Sequence, residues 1–375
     1  MTKNNIVIFF TVFVSLLLST LIAIFLAQGY KFDLPKRKIQ KTGMLLVKST
    51  PGDAKIYLDG KLLDTTPTTL GSLEPGRYNL KIEKEDHTFW QKEVEILPEL
   101  ATEVDALLIA KSPRLEPLTK TGISLLCLSP DGRQVVYTSR GEDSKGIWIL
   151  DLTAPPILGL VRENPRLLTP DTERHAFSLT EDLTFSPKGN QILLTLNKEG
   201  YLLLNLNDGD NPTATTSAEP TLSTWEEELK SLKEKWAKRL DLTGDLEKIA
   251  LDSDTLWSPD RKRFLFPKER DNYVEWHIYN GENPLGIGRK REYAPLKFKK
   301  DEEVKITWHQ TSRHLIVQKQ GTISLVEIDG GNQIEVLSLD LSDPRVFPTP
   351  DGANLIILTS FKKNGAPNLY AIGLR

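Results

Sequence analysis

One strand–turn–strand unit returns along the chain from about residue 114 onward, and it limits what this polypeptide can become. Its fullest copy is Leu128-Ser129-Pro130-Asp131-Gly132, leading into Gln134-Val135-Val136-Tyr137. Phe185-Ser186-Pro187-Lys188-Gly189 leads into Gln191-Ile192-Leu193-Leu194, and Trp257-Ser258-Pro259-Asp260 into Phe264-Leu265-Phe266. Trp308-His309-Gln310 precedes His314-Leu315-Ile316-Val317 in a worn copy, and Pro348-Thr349-Pro350-Asp351-Gly352 precedes Leu355-Ile356-Ile357-Leu358. In each, an apolar residue ends one strand, Pro presets φ for a turn, and Gly or a polar residue supplies the turn's special angles. A third apolar run follows most copies, such as Gly146-Ile147-Trp148-Ile149-Leu150.

The residues Ser129, Ser186, Ser258, His309 and Thr349 stand 57, 72, 51 and 40 residues apart, against ~40–45 for a compact four-stranded repeat. Several short strands recurring at that spacing are the mark of a β-propeller. Over residues 114–375 the chain resembles the TolB-like, WD-related propellers, whose blades carry a Ser-Pro-Asp-Gly turn between the first two strands. Blades of that type have four strands. Pro165 to Pro170 fits the fourth strand of the first blade, but the last blade runs out after Asn368 to Ile372. Residues 114–118, which lie ahead of the first blade's opening strand (Ile123 to Leu128), resemble the missing strand. They are expected to pair with residues 368–372 and close the ring, with Pro117 on the outermost strand.

The N-terminal stretch Ile6 to Ala27 carries no charge and is long enough for a bilayer-spanning helix of ~20 residues. A cleaved signal peptide is the competing reading, disfavoured by the length of the run and by Phe25 ahead of Ala27. Residues 1–29 are therefore read as an anchor on the membrane and 30–41 as a basic stalk. Lys3 precedes the span, while Lys31, Lys36, Arg37, Lys38 and Lys41 follow it. That bias places the bulk of the chain in the cytoplasm by the positive-inside rule.

Residues 42–111 form a compact module. Met44 to Val47 and Lys55 to Leu58 read as strands, with Ser49-Thr50-Pro51-Gly52-Asp53-Ala54 as a turn and Asp59-Gly60 as a hairpin signal. Thr66-Pro67, Pro75-Gly76-Arg77-Tyr78 and the alternating Asn79 to Lys84 follow. This ordered set resembles the PEGA domain, a small β-sandwich of bacterial surface and envelope proteins. Asp86-His87 departs from it, standing where many members have Gly-Tyr. The resemblance implies that module and propeller lie outside the cytoplasm, against the charge bias, on a single-pass protein of the bacterial cell membrane.

The longest interval between motif copies holds an insertion. Asn207 to Pro212 and the tract to Pro220 read as a polar loop. A helix is then expected over about 222–241, opened by a capping box at Ser223 to Glu226. Trp225, Leu229, Leu232, Trp236 and Leu240 fall on one face, expected to dock on the propeller, with Glu226/Lys230 and Glu234/Lys238 as paired charges on the other.

With 48 basic and 51 acidic residues and a net charge of −3, no global field favours nucleic acid. Arg289-Lys290-Arg291 with Lys297, Lys299 and Lys300 is read as solvated loop charge beside Asp301-Glu302-Glu303. The single Cys127 reads as a small buried hydrophobe. No nucleophile elbow, zinc-helix motif, phosphate loop or Cys pair is present. The histidines His87, His175, His277, His309 and His314 are scattered. His309 and His314 flank one turn, yet two imidazoles without a third ligand make a poor metal site. Asn205, Asn207, Asp208 and Asp210 lack the spacing of a calcium loop. Glu142-Asp143 and Asp171-Glu173 are the candidate carboxylate pairs for glycoside hydrolysis, with plain loop acids as the simpler reading.

The expected fold is all-β: an N-terminal transmembrane helix, a PEGA-like sandwich over 42–111, and a propeller of about five blades over 112–375 with one helical insertion. No catalytic, cofactor-binding or metal residue is assigned, and no cofactor. The expected role is non-catalytic binding of an envelope protein or cell-wall glycan through the propeller. An enzyme with its site in the funnel, glycan-cleaving or quinone-dependent, is the rival, and a structural spacer the third reading. Acids or histidines lining one funnel face favour the enzyme; an apolar or mixed face favours binding.

Overall fold

The computed structural model describes residues 3–27, 30–33, 38–153, 165–196, 200–206, 212–215, 217–339, 341–362 and 365–375. Two compact units emerge, one of residues 1–108 with 284–289, the other of 109–283 with 290–375.

In the first unit the apolar N-terminal run forms helix α1 (Lys3–Ala27). Its described side chains, Ile8 to Ile24, are all exposed. Among the described residues no helix is long and apolar enough to cross a membrane. The expected stalk is instead a small hairpin, Tyr30–Asp33 pairing antiparallel with Lys38–Lys41. Its residues 34–37, including Lys36 and Arg37, lie outside the described residues.

The module that follows is a two-sheet sandwich. One sheet runs Thr68–Leu73, Gly43–Thr50, Ala101–Leu107, the last two strands parallel. The other runs Lys61–Thr65, Lys55–Leu58, Gly76–Glu83, Trp90–Ile96. Alternation along the strands sends Leu45 and Val47 from one sheet, and Ile56, Leu80, Ile82 and Ile96 from the other, into a common core. Buried Thr66 knots the Ser-x-Pro-Gly-x-Ala and Thr-Pro segments together. Its hydroxyl shares a 2.6 Å bond with the Ser49 hydroxyl and accepts from the Ala54 N–H at 3.0 Å. Its backbone exchanges bonds with Asp53 and Ala54. Asp86 takes the glycine-like backbone at φ 59°, which an aspartate tolerates better than most side chains. Replacing Thr66 by Val should strand the Ala54 N–H and cost about 1–3 kcal/mol. A melting curve unchanged from the parent would remove Thr66 from this role.

The second unit contains five four-stranded antiparallel sheets among the described residues. The first blade runs Leu125–Leu128, Gln134–Ser139, Gly146–Asp151, Arg166–Pro170. The second opens with Thr180–Phe185, the third with Leu256–Trp257, the fourth with Val304–Trp308. The last is built from Asp343–Pro348, Asn354–Thr359, Asn368–Gly373 and, outermost, Leu115–Pro117. The ring thus closes across distant segments as the repeat pattern implied, with Leu115 opposite Ile372, Glu116 opposite Ala371 and Pro117 opposite Tyr370. Apolar clusters fill the seams. Ile123, Tyr137, Ile356 and Leu369 join the first blade to the last, and Val136, Ile147, Phe185 and Ile192 join the first to the second.

The insertion forms α2 (Glu219–Arg239), starting earlier than the expected 222. The Ser223–Glu226 box lies inside the helix, which Pro220 opens in its first turn, where proline's missing N–H costs nothing. A short second helix, α3 (Asp245–Leu251), packs beside it and has no counterpart in the sequence reading. Seven residues are too few for a periodic signal.

Candidate functional site

The five repeated turns share one hydrogen-bond scheme. The N–H of Ser129, Ser186, Ser258, His309 and Thr349 donates to the carbonyl five residues on, at 2.8–3.0 Å. Three residues on, an N–H donates back, from Gly132, Gly189, Arg261, Ser312 and Gly352 respectively. That position takes φ of 71°, 73°, 57°, 55° and 65°, the left-handed region where glycine is at ease. Two turns therefore hold a side chain where their sisters hold glycine. Ser129, Ser258 and Thr349 also donate a side-chain bond of 2.6 Å to the Asp two residues on. His309 replaces the hydroxyl with an imidazole, which contacts the Thr311 hydroxyl at 3.1 Å and donates from Nε2 to the Gly352 carbonyl at 3.1 Å.

The turns converge on a cavity of about 700 Å³. Pro130, Pro187, Pro259, Gln310 and Pro348, one from each blade's turn region, line it. From α2 come Leu229, Leu232, Lys233 and Trp236, and from the opening strands Leu256, Trp257 and Trp308. The expected apolar face of α2 does turn toward the propeller, but unevenly. Trp225 and Ala237 are buried, whereas Leu229 is 41% exposed at the cavity edge. Trp236 meets Trp257 edge-on at 5.5 Å, and Trp257 donates its indole N–H to the Ala250 carbonyl of α3 at 2.9 Å. Lys188 pairs with Glu228 of α2, tying the helix to the second blade's turn.

The lining carries four cations, Arg133, Lys188, Lys233 and Arg261, against a single carboxylate, Asp131, and no histidine. Lys233 is buried, and its ammonium donates to the Asp252 backbone carbonyl. Burial pulls its pKa down, opposed by the charges of Asp252 and Asp254. Arg261 lies with its guanidinium 4.3 Å from the Trp236 ring centre, a cation–π arrangement, and burial lowers its pKa too. Its neighbour Asp260 is taken by Ser258, the Lys262 N–H and buried Arg263, whose Nη1 lies at 2.8 Å.

The candidate chemistry read from sequence is dispersed. Glu142 and Asp143 are exposed, while Asp171 accepts from the Ser178 N–H and hydroxyl at 2.7 and 2.6 Å. His309 and His314 do approach, ring centres 6.0 Å apart, bridged by the Thr311 hydroxyl. His277 sits on Glu292 at 2.8 Å, His175 against Phe177, and His87 in its turn on the Glu85 carbonyl. Among the described residues no group of three or more His, Cys, Asp or Glu stands together as a metal site. Asn207, Asp208 and Asp210 lie outside the described residues. The basic cluster is largely paired: Lys297 with Glu275, Lys300 with Glu269, and Arg291 on the carbonyls of Asn280 and Glu282. Cys127 is half-buried rather than buried, and desolvation raises its thiol pKa.

Sequence reading missed Lys233 and Arg261. Arg261 had a signal, because it occupies the glycine slot of a Ser-Pro-Asp-Gly turn. Lys233 had none, lying one residue past Leu232 among the charges of α2.

No curated protein matches the chain significantly. Similar solved structures include TolB from Acinetobacter baumannii, 14% identical, covering 80% of this chain and 60% of that one with a TM-score of 0.26. The chain thus spans about 60% of the length of that TolB. A TolB-like protein from Agrobacterium tumefaciens is 15% identical, covering 76% of this chain and 86% of that one, TM-score 0.24. An oligogalacturonate lyase from Vibrio parahaemolyticus is 8% identical, covering 70% and 94%, TM-score 0.31. Over residues 42–110, the stretch that builds the two-sheet sandwich, the chain matches the family model of the PEGA domain.

Proposed function

We propose that this chain is a membrane-anchored, non-catalytic protein of the bacterial envelope that holds a protein partner in the cavity on the turn face of its propeller. The composition of that cavity carries the reading: leucine, tryptophan and proline walls with a few charged groups and one carboxylate. Sites that bind by apolar burial and a few placed polar groups look like this, whereas glycoside cleavage needs two carboxyls facing one bond. The apolar side chains exposed along α1 support an anchor, and the PEGA match supports an extracytoplasmic place for the rest. Substituting Leu229→Trp at the cavity edge should close the site without touching the core. Full-length protein in detergent micelles should capture an envelope protein from extracts, and the L229W form should not. Equal capture by both forms would move the binding surface elsewhere. Alkaline phosphatase fused after Arg375 should be active; an inactive fusion on an intact chain would place propeller and module in the cytoplasm.

A further inference from the structure

The cavity is more particular about charge than its walls require. Two of its cations lack an anionic partner: among the described residues neither Lys233 nor Arg261 makes a salt bridge. Lys233 is 6% exposed and touches a carbonyl, not a carboxylate. Asp252 and Asp254 lend Lys233 their charge without pairing with it, their Oδ1 atoms accepting from the Asp254 N–H and the Ser253 hydroxyl respectively. The other nearby carboxylates are committed elsewhere: Asp260 to Arg263, Ser258 and the Lys262 N–H, Asp131 to Ser129 and the Arg133 N–H, and Glu228 to Lys188. Holding desolvated cations without a directly paired carboxylate is unfavourable.

Backbone conformation singles out Arg261 a second time. It sits at φ 57°, in the position that Gly132, Gly189 and Gly352 occupy in three sister turns. A non-glycine residue pays a conformational penalty there. What this chain gains is a guanidinium laid on Trp236 at the cavity wall. The surrounding surface is apolar, with Leu229, Leu232 and Trp308 beside the two cations.

Resting on the reading that this cavity holds a protein partner, we propose that the partner enters as an acidic peptide segment: its carboxylates meet Arg261 and Lys233, and a neighbouring large apolar side chain lies against Leu229, Leu232 and Trp308. Charge complementarity selects this occupant, since of the four cations in the lining Lys188 is paired with Glu228 and Arg133 lies near Asp131, which leaves Arg261 and Lys233 for an incoming carboxylate. Guanidinium and ammonium donors desolvated in an apolar wall bind carboxylates by charge-assisted hydrogen bonds, while the walls supply burial.

The test uses the full chain in detergent micelles and a displayed library of random dodecapeptides. Selected peptides should be rich in Asp or Glu next to Trp, Phe or Leu, and should weaken steeply as salt rises. Arg261→Gly, which installs the residue of the sister turns, should keep the melting temperature at or above that of the parent and weaken those peptides about tenfold or more. Leu229→Glu, on an already exposed position, should weaken them comparably by repulsion. Peptides that lose binding with Leu229→Trp yet show no acidic preference, and bind the Arg261→Gly form as well as the parent, would overturn this inference and leave cavity binding standing. Selected peptides indifferent to every cavity substitution, or no selection at all, would overturn both.

Discussion

A chain lacking residues 112–119 should lose most of its propeller's stability and self-associate, while a chain starting at residue 42 should melt as the parent does. The excised segment supplies the outer strand of the last blade, opposite Tyr370 to Ile372. Beyond that register, the Gly373 N–H donates to the Arg114 carbonyl at 2.9 Å and the Leu118 N–H to the Leu369 carbonyl at 2.8 Å. Thr119 adds two bonds, its hydroxyl donating to Asn368 Oδ1 and accepting from the Leu369 N–H, each at 3.0 Å. At about 1 kcal/mol net per bond, the loss is on the order of 5 kcal/mol, a large part of the ~5–15 kcal/mol that holds a typical domain. Deletion also bares the edge of Asn368–Gly373, a template for strand addition between chains. Melting followed by circular dichroism, with sedimentation for the oligomeric state, checks both halves. A deleted chain that stays monomeric and melts with the parent would show that the apolar seam of Ile123, Tyr137, Ile356 and Leu369 closes the ring unaided.

That closure was legible because its signals are local and chemically forced. A Ser-Pro-Asp-Gly turn needs a fixed φ, a capping hydroxyl and a left-handed residue in order, so the copies announce themselves and the missing fourth strand can be counted. The sandwich was legible for a similar reason, since Thr66 must meet both the Ser49 and Ala54 segments. The cavity was not legible. It exists only because five turns from distant positions converge and α2 crosses them, and nothing in the spacing of Leu229 or Trp236 states which part of an apolar stripe will be covered. The start of α2 lies ahead of the Ser223–Glu226 box because a Ser-x-x-Glu pattern also occurs inside helices, and here Pro220 opens the first turn instead.

Acid should destabilise the propeller through His309, and His309→Ser should remove that part of the pH dependence. The imidazole is fully buried, and burial is the main reason its pKa falls from 6.5 to about 4, with the Arg375 charge adding to it. The Gly352 carbonyl and the Asp351 charge pull the other way. Its hydrogen bonds suit the neutral ring: Nε2–H donates to the Gly352 carbonyl at 3.1 Å, and Nδ1 accepts from the Thr311 N–H at 3.3 Å. A second proton on Nδ1 would face that N–H. From its own blade the ring also faces His314. In the unfolded chain the imidazole takes a proton as pH drops below about 6.5, while the folded ring stays neutral until about 4. The unfolded state therefore binds more protons across that window, and stability falls as pH falls through it. The loss by pH 4 amounts to about 3 kcal/mol, and below that it levels off for this group. Asp343 and Asp351, held low by Arg345 and by Thr349 with the Ala353 N–H respectively, also lose their contribution as pH falls, so the informative quantity is the difference between parent and variant. His309→Ser restores the residue of three sister turns, and its hydroxyl does not titrate. Denaturant unfolding from pH 7 to 4 should give the parent a steeper decline than the variant by about that amount. Parallel declines would mean that His309 either accepts a proton in the folded ring without penalty or does not reach solvent when the propeller unfolds.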